Sequence, residues 1–377
     1  MTSCDFGNNP EKIDRYRAFW DRSPVDRPLV GFTRVGWFPL SAFAAAAEWQ
    51  GKRYLEPDDL EPDRLVADHV RMIKEGDDID DDLIRGVGPM QVAVPFVPGI
   101  LGCRARVLAE NVMGEEEHRG WSELLELELD RDNPWYRKYL DLAETLAAKA
   151  AGRFPVSHGA EIGPTDMHAV LRGHAQSIVD LVEEPEKSAE LLDRCGRIFR
   201  DLTVDVWRRL PRFHGGYFDA QYSLWAPGSI VRMQEDATAV YSPDLYRTLV
   251  QPVDRMIARS FECSFMHLHS TSMFLLDAIL EIDEIRCYEV NNDACGPPLL
   301  QMVPHFRKIQ AHGKPLLIRG SFAPEELELL TRELEPQGLF LLIMVRDHDE
   351  IDQIRRHNRN VFPVLRVGSV VEEAPHG

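Results

Sequence analysis

The sequence predicts an α/β protein whose parallel strands close into a barrel, and three observations support this. Short apolar runs alternate with amphipathic helical segments along most of the 377 residues, which is typical of a parallel sheet. About eight or nine such runs are present, a number that fits a closed barrel better than an open sheet. No Gly-x-Gly-x-x-Gly sequence follows any of them, which argues against a dinucleotide-binding fold.

The chain is predicted to be a single domain, residues 1–377, in which a helical extension, residues 1–80, packs on a barrel, residues 81–377. In the extension, residues 11–20 have apolar side chains at helical spacing, and a Pro-containing turn ends that helix. A strand-like run at 29–32 follows it.

Residues 57–75 again show a helical pattern, and an acidic run at 75–82 follows. This run is predicted to be a solvated loop, because it lacks the ordered ligand spacing of a calcium-binding loop. The strands predicted in the barrel are 83–87, 154–158, 216–220, 230–233, 264–268, 285–290, 315–319, 339–343 and 361–365. The helices predicted between them include 180–202, 243–262, 274–280, 299–311 and 324–332.

Charge and composition exclude several classes of function. Lys and Arg total 43 against 62 Asp and Glu, a formal net charge of −19, which argues against a nucleic-acid or anionic-membrane partner. No apolar run has the length of a membrane span, and the N-terminus lacks the pattern of a signal peptide. The six cysteines are widely spaced and suggest no disulfide framework. We therefore expect a cytoplasmic protein.

Polar side chains follow nearly every predicted strand. Because a barrel gathers the C-terminal ends of its strands around one pocket, these side chains predict a site for a polar ligand. The candidates for binding the substrate are His158, Asp219, Tyr222, Asn291 and Arg319, and the candidates for catalysis are Glu235 and Glu289.

Each of these residues also has a structural interpretation. Asp219 can contact a ligand or cap a loop, and Arg319 can clamp a carboxylate or phosphate or form a salt bridge with a neighbouring acid. Glu289 and Asn291 are two residues apart, which suggests a second inward-facing pair. Glu235 precedes a predicted helix and can stabilise a turn instead of lining the pocket.

His267 and His269 are the best candidates for metal ligands. They end an apolar strand, where side chains two residues apart share a face and lie roughly 6.5–7 Å apart along the chain. Both imidazoles can therefore converge on one point. The alternative is that they form hydrogen bonds in the interior.

Three segments of the chain resemble the uroporphyrinogen decarboxylase superfamily. They are Arg-Ala-Phe-Trp-Asp-Arg-Ser-Pro-Val-Asp-Arg-Pro at 17–28, Gly-Pro-Thr-Asp-Met-His-Ala-Val-Leu-Arg-Gly at 163–173, and Glu-Asp-Ala-Thr-Ala-Val-Tyr-Ser-Pro-Asp-Leu-Tyr at 235–246. Their order and spacing, followed by His267-Leu-His269, are similar to those of the family. The resemblance implies a (β/α)8 barrel of the TIM type.

The resemblance also implies a metal. Methyltransferases of this superfamily that act on cobamides bind zinc through His-x-Cys and a distant Cys. In this chain His267 matches the first ligand, His269 stands at the thiol position, and no cysteine lies in or after 339–345. The third ligand would have to come from another residue, and the candidates are Glu235, Glu289, Asp347, His348 and Cys287.

The leading hypothesis is a metal-assisted, methyltransferase-like enzyme that uses zinc and a corrinoid-bound methyl group as co-substrate. Its partners would be a small-molecule substrate and a corrinoid protein, and barrels of this kind often pair, which suggests a homodimer. One alternative is a metal-free decarboxylase or lyase acting on a polar carboxylated substrate. The other is a small-molecule sensor without enzymatic activity.

Overall fold

The computed structural model describes residues 8–34, 40–74, 76, 78–89, 96–159 and 162–358. Its strands are β1 Leu29–Thr33, β2 Tyr54–Leu55, β3 Ala105–Val107, β4 Val112–Gly114, β5 Tyr217–Asp219, β6 Leu224–Ala226, β7 Ile230–Met233, β8 Cys263–His269, β9 Cys287–Asn291, β10 Leu316–Gly320 and β11 Leu339–Met344. A central sheet contains six of them in the order β1-β11-β10-β9-β8-β7. All its pairs are parallel, which confirms the predicted α/β class.

Helices cover this sheet. The α-helices are α1 Pro10–Trp20, α2 Pro62–Lys74, α3 Phe96–Ile100, α4 Trp121–Leu124, α5 Pro134–Ala150, α6 Pro164–Arg172, α7 His174–Glu183, α8 Pro185–Trp207, α9 Pro243–Leu245, α10 Gln251–Arg259, α11 Leu276–Leu280, α12 Leu299–Ala311, α13 Pro324–Glu333 and α14 His348–His357. Five 3-10 helices lie at Leu40–Ala42, Ala44–Trp49, Pro57–Asp59, Asp236–Val240 and Ser270–Leu275, and a π-helical turn lies at Tyr246–Val250. None of the helices in the described residues combines the length and apolar character of a membrane span.

The middle of the sheet is apolar on both faces. All five residues of β10 are buried, and in β11 only Met344 is partly exposed. A parallel sheet needs this pattern because its crossover helices cover both faces and leave no solvated side. The core of the domain therefore lies along β10 and β11, and polar side chains are confined to the strand ends.

The N-terminal segment contributes a strand as well as helices. Asn9 caps α1 by accepting a hydrogen bond from the Lys12 backbone, and α1 buries Tyr16, Phe19 and Trp20. Phe19 packs edge-on against Phe340 of β11, with ring centroids 6.0 Å apart. The strand-like run predicted at 29–32 is therefore confirmed as β1, which pairs with β11 in the central sheet.

Two acids of the predicted solvated loop are buried. The Asp81 and Asp82 carboxylates accept hydrogen bonds of 2.9 Å from the Phe32 and Val30 backbone N–H groups of β1, the terminal strand of the sheet in the described residues. Asp82 also pairs with Arg27. The prediction is therefore wrong for these two residues, because backbone donors of a terminal strand require acceptors and the carboxylates supply them.

Three predicted strands differ from the prediction. Segments 83–87 and 154–158 share a single parallel bridge, Val87 with Val156, and β5 pairs antiparallel with β6 instead of joining the parallel sheet. The predicted strand 361–365 lies outside the described residues. The pairing among the described residues is compatible with a TIM-like barrel, and it does not close into a ring.

Candidate metal-binding site

The site is built on β8 and β9, which are neighbours in the sheet. Their register places His267 opposite Glu289 and His269 opposite Asn291. His267 is buried and His269 is partly exposed, because the strand emerges from the core between them. The predicted sharing of one face is confirmed, since the two ring centroids are 4.7 Å apart.

The His267 ring is fixed by two contacts to its Nδ1 atom. Its Nδ1 forms a short hydrogen bond with the fully buried Glu289 carboxylate, and the Tyr222 hydroxyl lies 2.9 Å from the same nitrogen. The carboxylate accepts a hydrogen bond from this nitrogen, so Nδ1 carries the hydrogen and Nε2 presents its lone pair. That lone pair points towards His269, whose Nε2 is 3.3 Å away.

The His269 ring is held in the same way by Asp293. Its Nδ1 lies 2.9 Å from Asp293 Oδ1, while Asp293 Oδ2 accepts hydrogen bonds from the backbone N–H and the hydroxyl of Ser270, each 2.9 Å. Burial alone would raise the pKa of Asp293, but these hydrogen bonds lower it below the ordinary value. For His269, burial lowers the pKa, and the hydrogen bond to Asp293 with the charge of Asp236 outweighs burial and raises it.

Asp236 completes a group of three donors. One ligand atom from each of Asp236, His267 and His269 can be chosen so that all lie within 4.8 Å of one another. Asp236 Oδ1 is 3.7 Å from His269 Nε2. A cavity of about 20 Å³ borders all three side chains, which is room for a single water molecule or ion.

The three donors fit a divalent metal. Two nitrogens that each lie about 2.0–2.1 Å from a tetrahedral zinc ion are about 3.3 Å apart, which matches the separation of the two Nε2 atoms. A cation also removes the conflict between two lone pairs that face each other. Both rings donate Nδ1–H to a carboxylate, the arrangement that orients zinc-bound histidines in proteins. Other divalent first-row metals accept the same donors.

Asp236 was not among the predicted third ligands, although its neighbour Glu235 was. The Glu235 side chain points inwards, and its Oε2 accepts a hydrogen bond of 2.9 Å from the Thr165 backbone. Burial, together with the charges of Asp254 and Asp166, raises the pKa of Glu235 well above the ordinary value. Glu235 precedes the 3-10 helix that begins at Asp236. Because the Glu235 side chain is held inwards by the Thr165 backbone, Asp236 is the acid that lies beside the histidines.

The other predicted third ligands lie elsewhere. Asp347 caps α14 by accepting a hydrogen bond from the Glu350 backbone, and His348 pairs with Asp78 at 3.1 Å. Cys287 is fully buried, and burial followed by the charge of Glu289 raises the pKa of its thiol well above the ordinary value. Glu289 contacts Nδ1 of His267, on the side of the ring away from His269.

Three predicted substrate-binding residues form a buried chain that ends at His267. His158 Nε2 lies 3.6 Å from Asp219 Oδ2, and Asp219 Oδ1 accepts a hydrogen bond of 3.0 Å from the Tyr222 backbone. All three side chains are buried. Burial, followed by the charge of Glu289, raises the pKa of Tyr222 well above the ordinary value, so its phenol stays protonated. These contacts favour a supporting role for all three.

The other two predicted substrate-binding residues connect to His269. Arg319 Nη1 donates a 3.0 Å hydrogen bond to Asn291 Oδ1, and Asn291 Nδ2 donates one of 2.7 Å to Asp293 Oδ1. A continuous hydrogen-bonded path therefore runs from a guanidinium to a metal-ligand candidate. The sequence analysis named Arg319 and Asn291 but not Asp293. The signal that could have found it is its carboxylate two residues beyond Asn291.

A solved structure of a known protein has a similar fold. No protein-family model and no curated protein matches the chain. Among solved structures, a methyltransferase from Methanosarcina mazei is similar, with a TM-score of 0.60 and 11% sequence identity over 91% of this chain and 96% of that chain. At this identity the likeness establishes a shared α/β fold and leaves the chemistry to the site.

Proposed function

We propose that this protein is a metal-assisted methyltransferase-like enzyme in which His267, His269 and Asp236 hold a divalent cation, zinc in the first instance. The carrying observation is that two Nε2 atoms face each other at 3.3 Å while each Nδ1 is bound by a carboxylate. The similar fold of a methyltransferase supports the class of reaction, and the motifs at 17–28, 163–173 and 235–246 support placement in the uroporphyrinogen decarboxylase superfamily.

The residues of the site divide into those that bind and those that support. A bound cation would supply a Lewis acid that lowers the pKa of a coordinated water, hydroxyl or thiol. Glu289 and Asp293 keep the proton of each imidazole on Nδ1, so both Nε2 atoms stay available as ligands. The side chains of His269 and Asp236 are 37% and 41% exposed, so the open side of the site faces the solvent, where a substrate would enter.

Substrate binding is proposed for the exposed side of the same site. Asn291 is partly exposed at the C-terminal end of β9, where an acidic or amide group of a small substrate can reach it. The buried Arg319 of the neighbouring strand donates a hydrogen bond to Asn291 and adds positive charge behind it. We further propose that the sheet continues through 83–87 and 154–158 into a (β/α)8 barrel. The parallel bridge between Val87 and Val156 supports that continuation.

A corrinoid-bound methyl group is the proposed co-substrate, and a separate corrinoid protein is its proposed carrier. The support for a corrinoid is the resemblance of the motifs at 17–28, 163–173 and 235–246 to the superfamily. In such a transfer the carbon–cobalt bond breaks, the methyl carbon forms a bond to the acceptor heteroatom, and the acceptor proton is released to a base. The corrinoid keeps the electron pair of the broken bond.

Metal content is the first test of the proposed function. Protein purified without a histidine tag should hold about one zinc ion per chain after reconstitution and dialysis, measured by elemental analysis. His267→Ala and His269→Ala should both lose it, because two donors cannot replace three. His312→Ala removes an exposed histidine whose ring contacts the Lys308 carbonyl, and it should retain the metal. A wild-type protein without metal after reconstitution would rule out the metal-assisted mechanism and favour the lyase hypothesis.

Methyl transfer is the second test. Zinc-loaded protein should convert methylcobalamin in the presence of thiol and alcohol acceptors, followed by corrinoid absorbance and by mass spectrometry of the methylated acceptor. His269→Ala serves as the inactive control. Zinc binding without conversion of any acceptor in the panel would contradict the methyltransferase assignment and leave the metal site standing.

A further inference from the structure

The segment that carries Asp236 is anchored by the residues on both sides of it. On one side, Glu235 Oε2 accepts a hydrogen bond of 2.9 Å from the Thr165 backbone, in the first turn of α6. On the other side, the Ala237 backbone donates a hydrogen bond of 3.0 Å to Asp166 Oδ1. The second oxygen of Asp166 accepts a hydrogen bond of 3.2 Å from the Gly163 backbone. Both neighbours of Asp236 are thus tied to the start of one helix.

Gly163 allows this anchoring by its lack of a side chain. A Cβ atom at Gly163 would lie 1.6 Å from the carbonyl oxygen of Gln234 and 2.7 Å from its carbonyl carbon. The backbone of Gly163 has φ −75° and ψ 169°, an extended conformation that alanine adopts freely. The requirement for glycine is therefore one of space alone, and it is set by the segment that carries Asp236.

We propose that Gly163 and Asp166 are positioning residues that hold Asp236 at the distance from His267 and His269 that a metal ion requires. Neither residue supplies a ligand atom. This positioning role rests on the proposed metal site and deepens it. It assigns the placement of the third ligand, Asp236, to the start of α6, which lies outside β8 and β9. Removing contacts to a ligand's support lowers metal affinity by about 10–100-fold in characterised sites.

The sharpest test is Gly163→Ala. The added methyl group must push residues 234–236 away from α6, so the dissociation constant for zinc should rise about tenfold or more. Gly120→Ala is the matched control, because Gly120 is also the residue before a helix, with φ −76° and ψ 154°, and a Cβ there meets no atom within 4 Å. Zinc affinity of this control should stay within about twofold of the wild type, a change of about 0.4 kcal/mol.

Asp166 gives a graded series. Asp166→Ala removes both acceptor oxygens and should weaken zinc binding more than Asp166→Asn, which keeps one of them. Cobalt(II) absorbance of the loaded proteins reports coordination directly, and both Gly163→Ala and Asp166→Ala should shift it towards the spectrum of Asp236→Ala. Combining Gly163→Ala with Asp236→Ala should cause no further loss of affinity, because the positioned ligand is already absent.

The outcomes separate the two proposals. If the wild type binds metal while Gly163→Ala and Asp166→Ala keep its affinity and cobalt spectrum, the positioning role is overturned and the metal site is unaffected. If the two residues only stabilise the fold, their variants should unfold at a lower temperature even after a chelator has removed the metal. The losses of affinity from Gly163→Ala and Asp236→Ala should then add in the double variant, and this result would also overturn the positioning role. A wild type that binds no metal contradicts the proposed function itself.

Discussion

Carboxyl groups in two regions of the molecule have pKa values shifted in opposite directions. At the ends of β8 and β9, imidazole and backbone donors surround Asp293, and they hold its pKa below the ordinary value. In the buried region, burial raises the pKa of Asp254 to about 7, and burial with the charges of Asp254 and Asp166 raises the pKa of Glu235 well above the ordinary value. Burial dominates in the second region, and hydrogen-bond donors outweigh it in the first.

The adjacent residues Glu235 and Asp236 belong to different regions. Glu235 belongs to the buried group, and Asp236 belongs to the exposed one. A carboxyl group that keeps its proton is a weak metal ligand, because metals bind the ionised form. The protein therefore places the residue with the raised pKa behind the site and the more exposed carboxylate in front.

The largest effect on zinc affinity is expected at Asp236, in contrast to its neighbour Glu235. Asp236→Ala should weaken zinc binding by about 100-fold or more, about 2.7 kcal/mol, since it removes a ligand. Glu235→Gln keeps the acceptor for the Thr165 backbone and should change zinc affinity by less than about threefold. Isothermal titration of both variants measures the difference.

His348→Ala is the control for that pair, because it removes a third ligand that the sequence suggested and the structure places on Asp78. Its zinc affinity should equal that of the wild type. Equal weakening by Asp236→Ala and Glu235→Gln would show that the division between the two groups is wrong.

A smaller effect is expected at Glu289. Glu289→Gln replaces the carboxyl acceptor of His267 Nδ1 with an amide, so zinc affinity should fall by about 10–100-fold. The fold should survive, because the amide has nearly the same volume. Competition with a coloured chelator measures the affinity, and circular dichroism checks the fold. Unchanged affinity would mean that Glu289 does not orient His267.

The smallest effect concerns the buried group and stability. Because the folded pKa of Asp254 is about 7 and its unfolded value is ordinary, the contribution of Asp254 to the free energy of unfolding is fully present below about pH 4 and is lost as pH rises to about 7. Asp254→Asn cannot ionise, so it should lose this dependence and become more stable than the wild type near pH 8, by about 1–3 kcal/mol. Urea unfolding of the metal-free proteins at pH 5, 6, 7 and 8 measures it. Parallel pH profiles for the two proteins would show that Asp254 is ionised in the fold.

The parts of the site that could be predicted are those set by strand periodicity. His267 and His269 were expected on one face because they are two residues apart in an apolar strand, and Glu289 with Asn291 repeats that spacing on β9. The sequence could not align the two strands, so the contact of Glu289 with His267 appears only in the register of the sheet. Likewise, the alternation of apolar runs predicted a parallel sheet but gave no reason to pair β5 with β6 as a hairpin.

Periodicity and composition within short segments are sufficient to predict the α/β class, the strand that carries both histidines and the acidic character of the strand ends. The acid that joins the histidines depends on the folded chain. Glu235 and Asp236 are adjacent and chemically alike, and the start of α6, about 70 residues earlier in the chain, fixes which of them turns inwards. Contacts between segments distant in sequence set side-chain direction at a strand end, and no local pattern records them.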